Sequence, residues 1–392
     1  MTKALYVHIP FCMKRCVYCD FVSGIYDPEK ADAYIKALKK EISSIPEKTP
    51  LSTLFIGGGT PTALSAPALT DLIDHIFSHF SFTPDFEATI EANPGTVDRE
   101  KLQAIYAAGM NRISIGIQSF HDDELLFLGR LHTAKEAEQA VHLARDAGFN
   151  NIGVDLIYAI PGQNIVSWRD TIEKALKLKP KHISAYELTI EEGTLLHKFI
   201  DASSPPPPSK SWFSRLTGFF RNRITKPPEG LIVEMYNQTI DYLKDEGYVH
   251  YEISNFAKPG FICKHNLNYW DRGPYYGAGL GAHSFMNSMR SHNTESLEEY
   301  LKIISEGQRP VIKTEHITED KSIAEAIFLG MRKTEGIDIP SFTVHYGKDI
   351  CTLYEKQIKD MQDAGLLEKG NNALRLTRKG ILLSNEVFAR FI

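Results

Sequence analysis

Apolar residues in the first half of the chain follow two alternating spacings, one typical of strands and one of helices. Short apolar or alternating runs predict six strands, at residues 5–9, 53–56, 88–91, 112–117, 152–157 and 182–188. Apolar residues at three- and four-residue steps predict five helices between them, at residues 29–45, 67–80, 98–108, 134–147 and 165–178. Short connections favour parallel strands with right-handed crossovers. Six units rather than eight predict an α/β fold, an incomplete (β/α)6 TIM-like barrel whose lateral opening is covered by another segment.

The pattern breaks after residue 200. Residues 202–228 hold six of the twenty prolines, five basic side chains and no acidic one. The apolar residues of this stretch share one helical face and are Trp212, Phe213, Leu216, Phe219, Phe220 and Ile224. Such a basic amphipathic stretch can lie on an anionic membrane surface, so peripheral membrane contact through residues 210–226 is one interpretation. Packing on the open side of the barrel, or a loosely ordered insertion, explains the same pattern.

We divide the chain into four parts. Residues 1–200 form the barrel, 201–229 the Pro-rich insertion, 230–315 an extension that covers the barrel, and 316–392 a small C-terminal domain. Helical patterns at 322–331 and 351–364, followed by a hairpin around residues 369–372, predict a mainly helical, winged-helix-like domain. No run of 18 apolar residues and no signal peptide is present, so we expect a cytoplasmic protein, with peripheral contact at the inner face of the membrane as one alternative.

Composition narrows the function. The 392 residues carry a formal net charge of -5, which argues against general nucleic-acid binding. The five cysteines are odd in number, and Cys12, Cys16 and Cys19 lie within eight residues. Disulfide frameworks are even and spread out, so a reducing compartment and a metal site are favoured.

The three clustered cysteines directly follow the first predicted strand. Active sites of barrels lie at the C-terminal ends of strands. Three thiolates suit zinc if a fourth ligand is added, and they also suit a [4Fe–4S] cluster with one iron that lacks a cysteine. The Cys-x3-Cys-x2-Cys spacing resembles the radical SAM superfamily. This resemblance implies that the open iron binds S-adenosylmethionine and that electron transfer generates a 5′-deoxyadenosyl radical.

Polar or glycine residues follow several of the later strands and are expected to converge on one pocket. The resemblance narrows to the HemN-like group, typified by oxygen-independent coproporphyrinogen III dehydrogenase, which binds two S-adenosylmethionine molecules. It implies contacts to the first molecule from Tyr6, Gly58 and Glu91. It implies contacts to the second from Tyr18, Gly59, Thr60, Gln118, Arg130 and Asp155. Thr189 and His283 match the group's cofactor-binding positions less clearly.

Three departures separate this chain from the dehydrogenases. Phe21 stands where they carry a further cysteine, and only five residues precede Tyr6. The stretch from His265 to Trp270 reads His-Asn-x-x-Tyr-Trp, which resembles the signature of the heme-chaperone branch of the group. The imidazole of His265 is a possible axial ligand of heme iron, and a structural histidine in an aromatic loop is the alternative.

The leading hypothesis is therefore a carrier that binds heme and delivers it to apo-hemoproteins of the respiratory chain. It would hold a [4Fe–4S] cluster on Cys12, Cys16 and Cys19, one or two S-adenosylmethionine molecules, and would need an electron donor for the cluster. The rivals are oxidative decarboxylation of coproporphyrinogen III, a radical SAM methyltransferase and a non-catalytic zinc scaffold. The sequence leaves the acceptor apoprotein, the mode of heme attachment and the oligomeric state open.

Overall fold

The structure, a computed structural model, describes residues 3–46, 49–200 and 225–392. The predicted amphipathic stretch, apart from its last residues, lies outside the described residues. The membrane contact expected from residues 210–226 therefore stays a prediction. Among the helices of the described ranges, none is long and apolar enough to cross a membrane.

Six parallel strands, in chain order, form the barrel. They are β1 (Lys3–Ile9), β2 (Leu51–Gly58), β3 (Phe82–Ala92), β4 (Arg112–Gln118), β5 (Asn151–Tyr158) and β6 (His182–Glu187). All six predicted strands are confirmed, and the largest difference is that β3 begins six residues before its predicted start. Neighbouring strands pair in parallel throughout, for example Tyr6 with Phe55 and Asp155 with Ser184. Their carboxyl ends therefore meet at one end of the barrel.

Helices connect the strands and pack on the outside of the sheet. They are α1 (Pro28–Ser43), α2 (Ala66–His79), α3 (Arg99–Ala107), α4 (Asp122–Leu128), α5 (Ala134–Asp146), α6 (Ile165–Lys177) and α7 (Leu195–Ile200). Helix α1 shows why they begin where they do, because Asp27 caps its N-terminus through Lys30 N and Pro28 fills the first turn. Tyr34, Leu38 and Ile42 on one face are fully buried. Five of these helices match the expected ones, while α4 and α7 are additional.

Six further strands extend the same sheet without closing it. They are β7 (Val249–Glu252), β8 (Asn255–Ala257), β9 (Tyr275–Ala278), β10 (His283–Met286), β11 (Met289–Asn293) and β12 (Val311–His316). The strand order is β12-β11-β10-β9-β1-β2-β3-β4-β5-β6-β8-β7. The extension also contributes α8 (Glu229–Asp245), α9 (Lys264–Trp270) and α10 (Leu297–Ser305). The incomplete α/β barrel is therefore confirmed, and the later strands add to both edges of its sheet.

The C-terminal region has its own apolar core, built around Ile327, Ile350, Leu374 and Val387. Its elements are α11 (Glu319–Gly330), β13 (Ile337–Asp338), α12 (Ile339–Tyr346), α13 (Ile350–Leu353), α14 (Glu355–Asp363), β14 (Leu367–Lys369), β15 (Ala373–Leu376), α15 (Arg378–Leu382) and α16 (Ser384–Phe388). Strands β14 and β15 form the expected hairpin, and β13 pairs with the other edge of β15. Helices with a small sheet confirm the mainly helical, winged-helix-like prediction.

One helix of this region was predicted wrongly. The pattern at residues 351–364 suggested a single helix, whereas α13 and α14 are separated at Tyr354, which has φ -121° and ψ 32°. Ile350, Tyr354 and Ile358 are spaced four apart, so their periodicity continues across the break. The break places the Tyr354 ring 5.3 Å from that of Phe391.

Candidate functional site

A cavity of about 700 Å³ opens at the carboxyl ends of the barrel strands. This volume lies within the range of small-molecule and cofactor sites, which is roughly 300–1,000 Å³. Eleven of the thirteen site residues expected from the sequence line it. These are Cys12, Cys16, Tyr18, Cys19, Gly58, Gly59, Thr60, Glu91, Gln118, Arg130 and Asp155. Thr189, which the resemblance matched less clearly, also lines the cavity.

The cysteine loop between β1 and α1 brings three thiols to the cavity. Two-residue strands, Phe11–Cys12 and Gly24–Ile25, pair across the loop and close it. Cys12 is buried, whereas Cys16 and Cys19 are partly exposed. Thr60 Oγ1 lies 3.5 Å from Cys12 Sγ, and Arg130 Nη1 lies 3.4 Å from Cys16 Sγ. Each thiol therefore has a defined place at the cavity wall.

The chemistry of this donor set fits an iron–sulfur cluster better than a closed zinc site. Three thiols stand on one loop, and a structural zinc site needs four ligands. Within the described ranges, no group of three His, Cys, Asp or Glu side chains, the loop cysteines included, is arranged to hold a single metal ion. A three-thiol loop at the edge of a cavity leaves room for a cluster and for a ligand on its fourth iron.

The glycine turn after β2 packs directly on this loop. Gly58 has φ +113°, a conformation that favours glycine, and a Cβ there would lie 2.5 Å from the His8 ring. A Cβ on Gly59 would lie 2.9 Å from the Phe11 carbonyl oxygen and 3.0 Å from Cys12 Sγ. Gly58 is thus required by its backbone conformation and by the His8 ring, and Gly59 by the close approach of the cysteine loop.

Two carboxyl groups share the floor of the cavity. Glu91 Oε2 accepts a hydrogen bond from Gly58 N at 3.1 Å. Burial, together with the charge of Asp155, raises the pKa of Glu91 to about 8. Burial also raises the pKa of Asp155, although hydrogen bonds from Ser184 and Ser114 and the charge of Arg112 oppose that shift. Such carboxyl groups suit a cationic or hydroxyl-rich ligand, whose binding would favour their charged form.

Gln118 and Arg130 complete the wall beside the cysteine loop. Gln118 ends β4 with φ 70°, which is costly for a residue other than glycine and is concentrated at functional sites. Arg130 Nη2 donates to the Gly116 carbonyl oxygen at 2.6 Å. Burial raises the pKa of Tyr18, while the nearby Arg130 partly offsets the rise. Arg130 thereby links β4 to Cys16 and Tyr18.

Two expected site residues do not line the cavity. Tyr6 Oη and His8 Nδ1 are hydrogen-bonded at 2.9 Å, and His8 Nε2 lies 2.8 Å from the Val22 carbonyl oxygen. Tyr6 therefore supports the cysteine loop from behind rather than reaching a ligand directly.

The geometry also argues against His265 as a ligand in this cavity. His265 is 1% exposed, with Nδ1 2.8 Å from Thr53 Oγ1 and Nε2 3.0 Å from Tyr269 Oη. Burial and the charge of Arg112 lower its pKa to about 3, so the ring is neutral. Iron could bind His265 only after one of these hydrogen bonds opened. His283, the other residue that the resemblance matched less clearly, does not line the cavity and stacks on His292, with ring centroids 4.2 Å apart.

Several lining residues were not expected from the sequence. Arg112 is 2% exposed, and burial opposes its charge, but Cys263 and Glu87 raise its pKa overall. The sequence did hold a sign of Arg112, because it is the one charged residue in an otherwise mostly apolar strand and stands at its first position. Asn266, Arg332 and Asn385 come from the extension and the C-terminal region. No local pattern places them at a cavity, because their position depends on how these parts pack on the barrel.

Comparison with known proteins agrees with this geometry. Residues 6–175 match the Radical SAM superfamily, and residues 317–383 match the HemN C-terminal domain. A Bacillus subtilis protein named heme chaperone HemW is 36% identical, with 100% of this chain and 99% of the relative covered. A Lactococcus lactis protein of the same name is also 36% identical, over 100% and 97%.

Among solved structures, coproporphyrinogen III oxidase (HemN) from Escherichia coli, described as a radical SAM enzyme, has a TM-score of 0.82. It is 22% identical and covers 100% of this chain and 90% of its own, a likeness that shows the fold. Fold, cysteine loop and full-length sequence similarity point the same way. The chain belongs to the HemW family of the radical SAM superfamily, with a HemN-type C-terminal domain.

Proposed function

We propose that this protein binds heme and transfers it to apo-hemoproteins, those of the respiratory chain being the expected acceptors. The observation that carries the proposal is the 36% identity, along essentially the whole of both chains, to relatives named heme chaperone. The solved oxidase with the same fold is only 22% identical. Phe21 adds support, because it is 62% exposed at the cavity rim where the dehydrogenases carry a further cysteine.

Cys12, Cys16 and Cys19 would hold a [4Fe–4S] cluster. The three thiols share one loop at the cavity, and the Arg130 guanidinium lies 3.4 Å from Cys16 Sγ, where it offers an N–H donor to the sulfur. Bound there, the cluster would supply electrons, which it must receive from a separate donor. Thr60 and Arg130 would orient the thiolates by hydrogen bonding to them.

S-adenosylmethionine would occupy the cavity next to this loop. Its sulfonium and ammonium groups are cationic, and Glu91 and Asp155 are buried carboxyl groups of the cavity that could face them. Gly58 and Gly59 expose backbone to the ligand, and Tyr18, Thr60, Gln118 and Arg130 offer further hydrogen-bonding groups. Tyr6 would act indirectly, through His8 and the cysteine loop.

Parallel binding and turnover assays test the proposal. The protein is purified anaerobically, reconstituted with iron and sulfide, and offered hemin or coproporphyrinogen III with S-adenosylmethionine and a reductant. We expect stoichiometric hemin binding and no protoporphyrinogen. Protoporphyrinogen formation coupled to methionine release would instead establish the dehydrogenase. Methyl transfer from S-adenosylmethionine to an added porphyrin would establish the methyltransferase.

A further inference from the structure

One flank of the cavity is built by residues outside the six β/α units. Asn266 comes from α9, Ile253 and Ser254 follow β7, and Arg332 follows α11. Ser384 and Asn385 come from α16 of the C-terminal domain. The proposed sites for the cluster and for S-adenosylmethionine use other residues, those of the cysteine loop and of the six barrel units. This flank is therefore left for a different ligand or a different part of one.

Arg332 is the cation of this flank, and its guanidinium lies over an aromatic ring. Its central carbon lies 4.3 Å from the centroid of the Trp270 ring. A cation at this distance from an indole ring is attracted to the ring face. Arg332 Nε and Trp270 Nε1 are both buried and have no hydrogen-bond partner among the described residues. The Arg332–Trp270 pair is thus left with two unsatisfied N–H donors, although buried donors normally find an acceptor.

Glu252 is an ion-pair partner of Arg332, but it lies too far away to occupy all of the guanidinium N–H donors. The distance from Arg332 Nη2 to Glu252 Oε2 is 4.0 Å, whereas Arg272 and Arg290 each approach Glu325 to 2.8 Å. The other oxygen, Oε1, accepts from Ser254 N at 3.1 Å. A guanidinium has five N–H donors and binds a second carboxylate readily. Arg332 therefore retains donors for a ligand.

We propose that Arg332, backed by Trp270, binds a carboxylate of the ligand that enters from this flank, namely a propionate of heme. This inference rests on the proposed function and deepens it. Heme carries two propionates on a flat apolar ring, and burying a carboxylate requires a charge-assisted partner. Arg332 supplies that partner on this flank of the cavity.

Hemin and hemin dimethyl ester, which lacks both carboxylates, are the probes that separate carboxylate recognition from ring binding. Their affinities are measured by absorbance titration of the reconstituted full-length protein and of an Arg332→Met variant. Lys333→Met is the matched control, since Lys333 is the next residue but pairs with Asp271 at 2.6 Å and does not line the cavity. S-adenosylmethionine affinity is measured in parallel, because that molecule also carries a carboxylate.

The proposal predicts that Arg332→Met weakens hemin binding about 10- to 100-fold, the range of one charge-assisted hydrogen-bonded contact. The same change should leave ester and S-adenosylmethionine binding unaltered, and Lys333→Met should match wild type throughout. Unchanged hemin affinity, or equal loss for hemin and its ester, overturns the assignment of Arg332. Weaker S-adenosylmethionine binding instead assigns Arg332 to that molecule. Wild-type protein that binds no hemin contradicts the proposed function itself.

A second variant guards against a general packing defect. Arg332→Lys keeps the positive charge but loses the flat fork and the Nε donor. We expect hemin affinity between those of wild type and Arg332→Met, with the ester again unaffected. If Arg332→Lys and Arg332→Met both lose affinity for hemin and for its ester to the same extent, Arg332 contributes packing on Trp270 rather than carboxylate binding.

Discussion

Cys12, Cys16 and Cys19 differ in surroundings although they share a loop. Cys12 is buried against Thr60 and Gly59, whereas Cys16 faces Arg130. The sequence predicted the three thiols together, because their spacing is local. It could not predict that Tyr6 and His265 would be held away from the cavity. Hydrogen bonds to His8, Thr53 and Tyr269 fix them there, and these partners depend on tertiary packing.

Replacing one loop cysteine should abolish cluster binding. We expect reconstituted Cys16→Ser to lose the brown visible absorption of the cluster and most of its bound iron, because a cluster with only two thiolates is held poorly. Cys351→Ser is the control, since Cys351 lies in the C-terminal domain away from the loop. Iron and sulfide content near four of each per Cys16→Ser chain would refute the ligand assignment.

Glu91 gives a pH-dependent signature. Its pKa in the folded protein is about 8, above its ordinary value of 4.5. The folded state therefore binds the proton more tightly, and wild-type stability should fall as pH rises from about 4.5 to about 8. A Gln side chain cannot lose a proton, so Glu91→Gln should gain thermal stability over wild type across this window.

Melting temperatures of cofactor-free protein, measured from pH 5 to 9 by differential scanning calorimetry, check this. The difference between Glu91→Gln and wild type should grow with pH and level off above about pH 8. Glu173→Gln, which alters an exposed carboxylate paired with Arg169 at 3.0 Å, serves as control. A difference for Glu91→Gln that does not change with pH would show that Glu91 ionises normally.

At the scale of elements, helix α9 carries the His-Asn-x-x-Tyr-Trp motif and closes the barrel from inside. Its first N–H groups, at Lys264 and His265, donate to Glu87 at 3.2 and 3.1 Å. Cys263 Sγ lies 3.4 Å from the same carboxylate. The His265 ring packs 5.0 Å from Phe55, which lines the cavity. The motif therefore supports the floor of the cavity, a role that its sequence alone did not distinguish from heme ligation.

Removal of the Glu87 carboxylate should destabilise the fold strongly. Glu87→Ala leaves buried donors of α9 unsatisfied and deprives buried Arg112 of a counter-charge. We expect a loss of about 2–4 kcal/mol in the free energy of unfolding. Asp85→Ala, two residues away, removes only an exposed ion pair with Lys264 and should cost under about 1 kcal/mol. Equal losses in urea unfolding would contradict this role of Glu87.

At the scale of the whole molecule, the HemN-type domain contributes directly to the cavity through α16. Arg378 ties this domain to α8, with Nη1 and Nη2 2.7 and 2.9 Å from the Asp241 carboxylate and Nε 2.6 Å from Asn237 Oδ1. The sequence predicted six barrel strands and the hairpin, because their periodicity is strong and local. It did not predict the flank formed by Arg332 and Asn385, because that flank exists only once the domain docks.

Loss of the Arg378 contact should loosen the domain without unfolding it. Arg378→Ala is expected to increase hydrogen exchange in the C-terminal domain and to weaken hemin binding a few-fold, because α16 would no longer be held at the cavity. Arg375→Ala is the control, since Arg375 pairs with Glu368 inside the hairpin. Exchange and hemin affinity that equal those of wild type in Arg378→Ala would show that docking does not depend on this contact.

Direct heme transfer tests the central claim most closely. Hemin-loaded protein is mixed with the apo form of a respiratory hemoprotein in the presence of excess apomyoglobin, which captures released heme. The account predicts that the respiratory hemoprotein gains its heme spectrum despite the trap, and faster than from an equal amount of free hemin. Heme that passes only to apomyoglobin, at the rate of spontaneous dissociation, would contradict it.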